Sequence, residues 1–384
     1  MLIIGKEYIS YISLHYTYVM KRQKLIAVPL PDQSLVPDRL AAEAFNAVRD
    51  ILAEAASANT TRSYATALRY WAAWFSARYS RPFVLPMPEA AVVQFIVDHV
   101  QRRTRQGLAH DLPATIDAAL VESGAKNAMG PLKLSTIVHR IAVLSRVHGA
   151  KRLANPCEQP GVRHLLSRAR RASVKRGERP AKKTAIARRE LEALLATCDD
   201  SLEGLRDRAL LLFGFASGGR RRSEIASADM ASLSRIGADA FLYRLEHSKT
   251  QQAGPSSEST PDKPILDIAA EALDAWLAAS AITEGAIFRR LWKNRLGGAL
   301  SPAAVGAIVQ RRARLAGATG DFGGHSLRSG FVTEAGRQGV PLPSVMAMTD
   351  HRSVATVMGY FQSGSSLLNP AASLLAKKMR NIML

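Results

Sequence analysis

Between Arg163 and Arg189 the chain carries eleven Lys or Arg residues and a single acid, Glu178, and Pro180 breaks the run. Such a segment reads as a linker between cores. It therefore divides the 384 residues into two folding units, which suits a chain of this length. The expected organisation is an N-terminal extension over 1–35, a helical domain over 36–160, a basic linker over 161–186 and a second domain over 187–384. The plain reading of a charge run is a solvated linker; the functional one is a strap along phosphates, contacting them through Lys175, Arg176, Lys182 and Lys183. The rest of the composition favours the strap, because 52 Lys and Arg against 32 Asp and Glu leave a net charge of +20.

That excess draws polyanions, with nucleic acid the usual partner and an anionic membrane surface the rival. No long apolar span or basic amphipathic anchor supports the membrane, so no membrane partner is expected. Cys157 and Cys198 have no CxxC spacing and imply neither a disulfide framework nor a zinc site. A reducing cytoplasm fits, at the nucleoid if the host is prokaryotic. Residues 1–18 mix apolar side chains with Lys6, Glu7 and His15 and do not read as a signal peptide.

The first domain reads as helices. Leu40, Ala44, Val48, Ile51 and Leu52 recur at helical spacing. Thr60 or Thr61 is placed to cap a second helix through Trp71 and Phe75, and a third follows Pro88. The segment from Gly107 to Gly130 is looser, and Ser135 is placed to cap a further helix through Val147. In the second domain, helices are expected over Arg189–Thr197, Leu205–Ala216, Ala269–Ala279 and from Pro302 to Leu315, with Ser301 as cap. Ala240–Leu245 reads as a strand, with Lys263–Ile268 returning as its partner across a Ser/Pro/Gly loop.

Four islands in this domain carry the chemistry. They are Gly219-Arg220-Arg221-Arg222-Ser223-Glu224-Ile225, then Ser248-Lys249-Thr250, then His325-Ser326-Leu327-Arg328, and finally Asp350-His351-Arg352 with Tyr360 nine residues beyond His351. Cutting a phosphodiester without metal needs guanidinium forks on the non-bridging oxygens, a base for the nucleophile and an acid for the leaving oxygen. Arg221, Arg328, His325, Lys249 and Tyr360 supply those groups. His325 and Arg328 are three apart and share a helix face. No further ligands stand at metal-like spacing from His325 and His351, so no metal and no cofactor is expected.

These islands resemble the tyrosine recombinase (phage integrase) family. Its first box, near G-x-R-x-S-E-[LI], selects Arg221 as the first catalytic arginine, and its hairpin lysine matches Lys249. Its H-x-L-R box matches His325 to Arg328, and its G-H-x-S box with a following tyrosine matches His351 to Tyr360. One departure is Asp350, where the family usually has glycine.

The resemblance implies a mainly α fold with a small β-sheet: a helical N-terminal core-binding domain, opening with the helix that carries Arg62, and a mixed α/β catalytic domain. It implies catalysis by Arg221, Lys249, His325, Arg328, His351 and Tyr360. Glu224 orients the site from behind, and Arg62 joins the basic strap in binding DNA. It also implies a homotetramer on double-stranded DNA recombination sites, with accessory DNA-bending proteins as further partners. A type IB topoisomerase-like enzyme and a catalytically inactive DNA-binding regulator are the rival readings.

Overall fold

The computed structural model describes residues 58–178, 183–245, 261–293, 295–351 and 353–365. The helix expected over 40–52, Lys182, Lys249 with most of its loop, and the C-terminal tail lie outside them. The chain separates into two units, 1–180 and 181–384.

In the first unit, α1 (Ala58–Tyr79) already contains both Thr60 and Thr61. It buries Tyr70, Trp71 and Trp74 against α2 (Glu89–His99), where the Trp71 ring stacks on Phe95 at 3.8 Å between centroids. Buried aromatic area of this kind dominates the energetics of a small helical core. The segment expected to be loose is regular in part. Gly107–Ala109 is strand β2, paired with β1 (Arg102–Thr104) just before it, and α3 (Ala114–Glu122) follows, while only turns and bends occupy residues 123–130. Buried Asp117 pins the turn after α3 by accepting from the Gly130 N–H at 2.7 Å and pairing with Lys126. Helix α4 (Leu134–Ala150) starts from Lys133 with no side-chain cap, so Ser135 sits inside the first turn rather than capping it.

The basic run departs from expectation in its first half. Residues 160–175 are not linker but helix α5 (Pro160–Lys175), opened by Pro160 in the first turn. Val162, Leu166, Ala169 and Ser173 recur every three or four residues and are buried, while Arg163, Arg168, Arg170, Arg171 and Lys175 face solvent. Charge density masked an amphipathic helix whose narrow apolar stripe completes the first core.

The second unit begins with residues that lie flat on a later helix. The Ile186 N–H donates to Ser326 O at 2.9 Å, and a Cβ on Gly330 would stand 1.7 Å from Ile186 O. Helix α6 (Arg188–Leu195) precedes the central α7 (Leu202–Ala216), capped by Ser201 through the Gly204 N–H and buried along Ala209–Phe213. After the short α8 (Arg222–Ala226), strands β3 (Leu233–Gly237), β4 (Ala240–Arg244) and β5 (Asp262–Leu266) form an antiparallel sheet in the order β3-β4-β5.

Phe241 pairs with Ile265 and Tyr243 with Lys263, all four on the buried face. Helix α9 (Ile268–Ser280) packs on α7. A second hairpin, β6 (Arg289–Trp292) with β7 (Arg295–Ala299), has no counterpart in the expectations from sequence. Then come α10 (Pro302–Leu315), capped by Ser301 as its Ser-Pro start predicts, and α11 (Ser326–Arg337). Helices α12 (Leu342–Thr349) and α13 (Val354–Ser365) close the described chain.

Candidate active site

The first island is a tight turn between α7 and α8. Gly218 and Gly219 take φ of 96° and 68°, which L side chains rarely adopt. A Cβ on Gly219 would lie 2.6 Å from the Arg328 Cα, and one on Gly218 would lie 2.1 Å from Met348 O. The glycines thus let this turn touch both α11 and the end of α12. Arg221 caps α8, and Glu224 receives its backbone N–H at 3.0 Å and its guanidinium at 2.5 Å. Arg220 turns inward to 1% exposure and Arg222 faces solvent.

Arg328, on the first turn of α11 and nearly buried, donates to Gly219 O at 3.2 Å and to Thr349 O. Its Nε stands 3.3 Å from His351 Nε2. The Thr349 hydroxyl donates to Val345 O at 2.7 Å, so it accepts from His351 Nδ1, also at 2.7 Å. The shorter Thr349 contact assigns the proton to Nδ1, although Arg328 Nη2 also stands 3.3 Å from that nitrogen, and leaves a lone pair on Nε2 facing Arg328 Nε. His325 precedes α11, and its ring lies 6.3 Å from that of Tyr360 on α13, edge to face. Tyr360 is half-buried and also packs against the apolar cluster of Val332, Ala335, Val345 and Val357.

The electrostatics are those of a site short of negative charge. Burial, then Arg221 and Arg220, brings Arg328 down to about 9, although Glu224 and Asp350 oppose the shift. Burial, then the charges of Arg328 and Arg221, lower His351 to about 4. His325 is lowered by burial, then by Arg328 and Arg221. Both imidazoles are therefore neutral at neutral pH and able to accept a proton. A bound phosphate would supply the missing anion, and guanidiniums suit its geometry.

Beside these groups lies a cleft of about 540 Å³ lined by Lys183, Arg221, Arg222 and His325. Gly324 floors it, since a Cβ there would meet Arg222 Cβ at 2.7 Å. Among the described residues no group of His, Cys, Asp or Glu is arranged to hold a metal. No described helix is long and apolar enough to cross a membrane.

The structure therefore brings Arg221, Glu224, His325, Arg328, His351 and Tyr360 into one region. Lys249 lies outside the described residues. Arg62 is exposed on α1, and Lys175 is exposed at the end of α5. Arg176 pairs with Glu178 at 2.6 Å and Lys183 pairs with Asp321, so neither is a free cation. Sequence reasoning missed Lys263, a fully buried lysine that reaches the same region. Its signal was a basic residue two positions from Ile265, at the inward register of a strand.

This fold and this grouping define a tyrosine recombinase. The chain belongs to the phage integrase family, whose model matches residues 185–366. An integrase/recombinase XerD homolog from Selenomonas ruminantium is 30% identical over 279 residues, spanning 70% of this chain and 79% of the relative. The recombinase Cre of Escherichia phage P1 is 24% identical over 249 residues, 60% of this chain and 71% of that protein. The fold is shared with a XerH site-specific recombinase bound to palindromic difH substrate in a post-cleavage complex. The TM-score is 0.53 at 16% identity, over 88% of this chain and 85% of that one. A lambda integrase dimer bound to a core site gives a TM-score of 0.50 at 12% identity, over 83% and 94% of the two chains.

Proposed function

We propose that this protein is a site-specific DNA recombinase that cuts and rejoins strands through a 3′-phosphotyrosine on Tyr360, without metal or ATP. The observation that carries the reading is the approach of the Tyr360 ring to His325 beside buried Arg328, where burial, and then the neighbouring guanidinium charges, keep both histidines neutral.

Phenols lose their proton only near about pH 10, so the nucleophile needs a base. His325 is the neighbouring imidazole able to take that proton. The Tyr360 oxygen attacks phosphorus as the bond to the 5′ oxygen breaks. Arg221 and Arg328 hold the charge that gathers on the non-bridging oxygens. Lys249 gives its proton to the departing 5′ oxygen, and His351 hydrogen-bonds the phosphate. Once the phosphate's charge offsets the guanidiniums, His351 regains a proton on Nε2 and can donate. The phosphotyrosine conserves the energy of the broken bond, and a 5′ hydroxyl from a second site reverses the chemistry to complete the exchange. The substrates are two duplex sites held by four protomers, with accessory DNA-bending proteins as further partners. The DNA-bound structures of like fold support the DNA-site part of this reading.

The test traps the covalent adduct on a nicked suicide substrate and resolves it on a denaturing gel. Wild type should form it, and Tyr360→Phe should bind DNA normally and form none. An adduct from the phenylalanine variant would move the nucleophile elsewhere. Relaxation of supercoils by a monomer, with no exchange between two sites, would favour a topoisomerase.

A further inference from the structure

The residue before His351 departs from the glycine of the family pattern, and the structure gives that departure a partner. Asp350 has φ 55° and ψ 38°, a left-handed conformation that glycine adopts freely and aspartate tolerates. Its carboxylate is 5% exposed and bridges two cations. One oxygen accepts from Arg220 Nη1 at 3.0 Å, the other from Lys263 Nζ at 2.9 Å, and those cations are 1% and 0% exposed. The same two cations cap the end of α12. Lys263 donates to Ala347 O at 2.8 Å and Arg220 to Met348 O, while Arg328 donates to the next carbonyl, Thr349 O. Three successive carbonyls that a helix end leaves without partners thus each receive a cation, and one of these is a site arginine.

A glycine at 350 would keep this backbone but remove the anion. Glu224, the other carboxylate nearby, approaches Arg220 at 3.8 Å and already holds Arg221. A lysine without solvent needs a counter-charge, and Asp350 supplies one to Lys263 at 2.9 Å. Their positions in the chain are as telling as their charges. Lys263 is the second residue of β5, just beyond the loop that carries Lys249, and Asp350 is bonded directly to His351.

We propose that Asp350 and Lys263 are a positioning pair. Their ion pair ties the turn bearing His351 and braced by Arg328 to the strand into which the Lys249 loop runs. The proposal rests on the phosphotyrosine reading of this site. Neither residue contacts the scissile phosphate; both act through His351, Arg328 and the base of that loop.

The test compares wild type, Asp350→Gly, Asp350→Asn, Lys263→Met and Asp350→Gly with Lys263→Met. Single-turnover adduct formation, DNA affinity and melting temperature are measured for each, with rates taken well below each melting point. Asp350→Gly and Lys263→Met should each slow adduct formation by about 30-fold with affinity within about threefold of wild type. The double variant should recover to within about fivefold, because methionine fills the lysine slot without a charge, and the remaining defect is that of Arg220, which loses Asp350 and keeps only Glu224 at 3.8 Å. Asp350→Asn, which keeps the shape and one acceptor, should fall between glycine and wild type and remains informative if the glycine variant does not fold.

Single defects that multiply in the double variant would overturn the pair. So would a lowered melting temperature with unchanged rate, which is what a purely structural bridge gives. A wild type that forms no adduct would instead refute the reading on which the proposal stands.

Discussion

Glu224 accepts from Arg221 twice, through the backbone N–H and through the guanidinium, and so fixes both where the arginine starts and where it points. Glu224→Ala should lower single-turnover adduct formation by about 100-fold, the scale expected when a charge-stabilising group drifts by about an ångström. Glu224→Gln, which keeps an acceptor, should lose less. Adding Arg221→Ala to the alanine variant should cost little more, since its arginine is already misplaced. Independent, multiplying losses in that cycle would show that Glu224 acts elsewhere.

Lys249 stands, by sequence, on the loop between β4 and β5. If it protonates the departing 5′ oxygen, Lys249→Ala should be badly slowed on ordinary DNA and largely rescued by a 5′-bridging phosphorothiolate, whose sulfur leaves without a proton. Arg221→Ala should not be rescued fully, because its charge acts on the non-bridging oxygens. Single-turnover cleavage of both substrates decides the matter. Equal defects for the lysine variant would assign the proton to another group or to water.

The basic run should show itself in salt. Each neutralised phosphate contributes about −0.9 to the log–log slope of affinity against salt, and a slope steeper than about −5 is expected on a specific duplex. Replacing Lys175, Arg176, Lys182 and Lys183 with Gln should flatten it. Arg176 and Lys183 already have carboxylate partners, so the change should be smaller than four independent contacts would give. An unchanged slope would leave this segment no part in binding.

Acid should loosen the first unit through His99. Its Nδ1–H donates to Phe95 O at 2.7 Å, so its Nε2 accepts from the Tyr70 hydroxyl at 2.6 Å, and the ring is neutral. Burial holds it near about 3, well below the ordinary histidine value. The folded form thus binds fewer protons than the unfolded chain between about pH 6.5 and 3. Stability is full above that window and declines as pH falls through it, by about 2 kcal/mol between pH 7 and 5 from this residue. Urea unfolding followed by the fluorescence of Trp71 and Trp74 measures the loss. His99→Gln should be less stable at pH 7 but show a shallower decline, and an equally steep one would place the acid sensitivity in other groups.

The sequence alone determined what is local. Ser301-Pro302 starts a helix because the serine accepts a free N–H and the proline needs none, and the spacing of three between His325 and Arg328 keeps both at the head of α11. The residue types of the site and their order along the chain were also legible, because the chemistry of a phosphodiester restricts which groups serve. Tertiary structure decided the rest. Of three consecutive arginines it buried Arg220 against the end of α12, set Arg221 on Glu224 and exposed Arg222, and nothing in the run itself ranks them. It turned half of an apparent linker into α5, whose apolar stripe matters only because a core is there to receive it. It also joined Lys263 to Asp350 across 87 residues. That contact depends on which face of β5 points inward and on where α12 ends. Strand register and helix packing set both, and no local backbone signal encodes either.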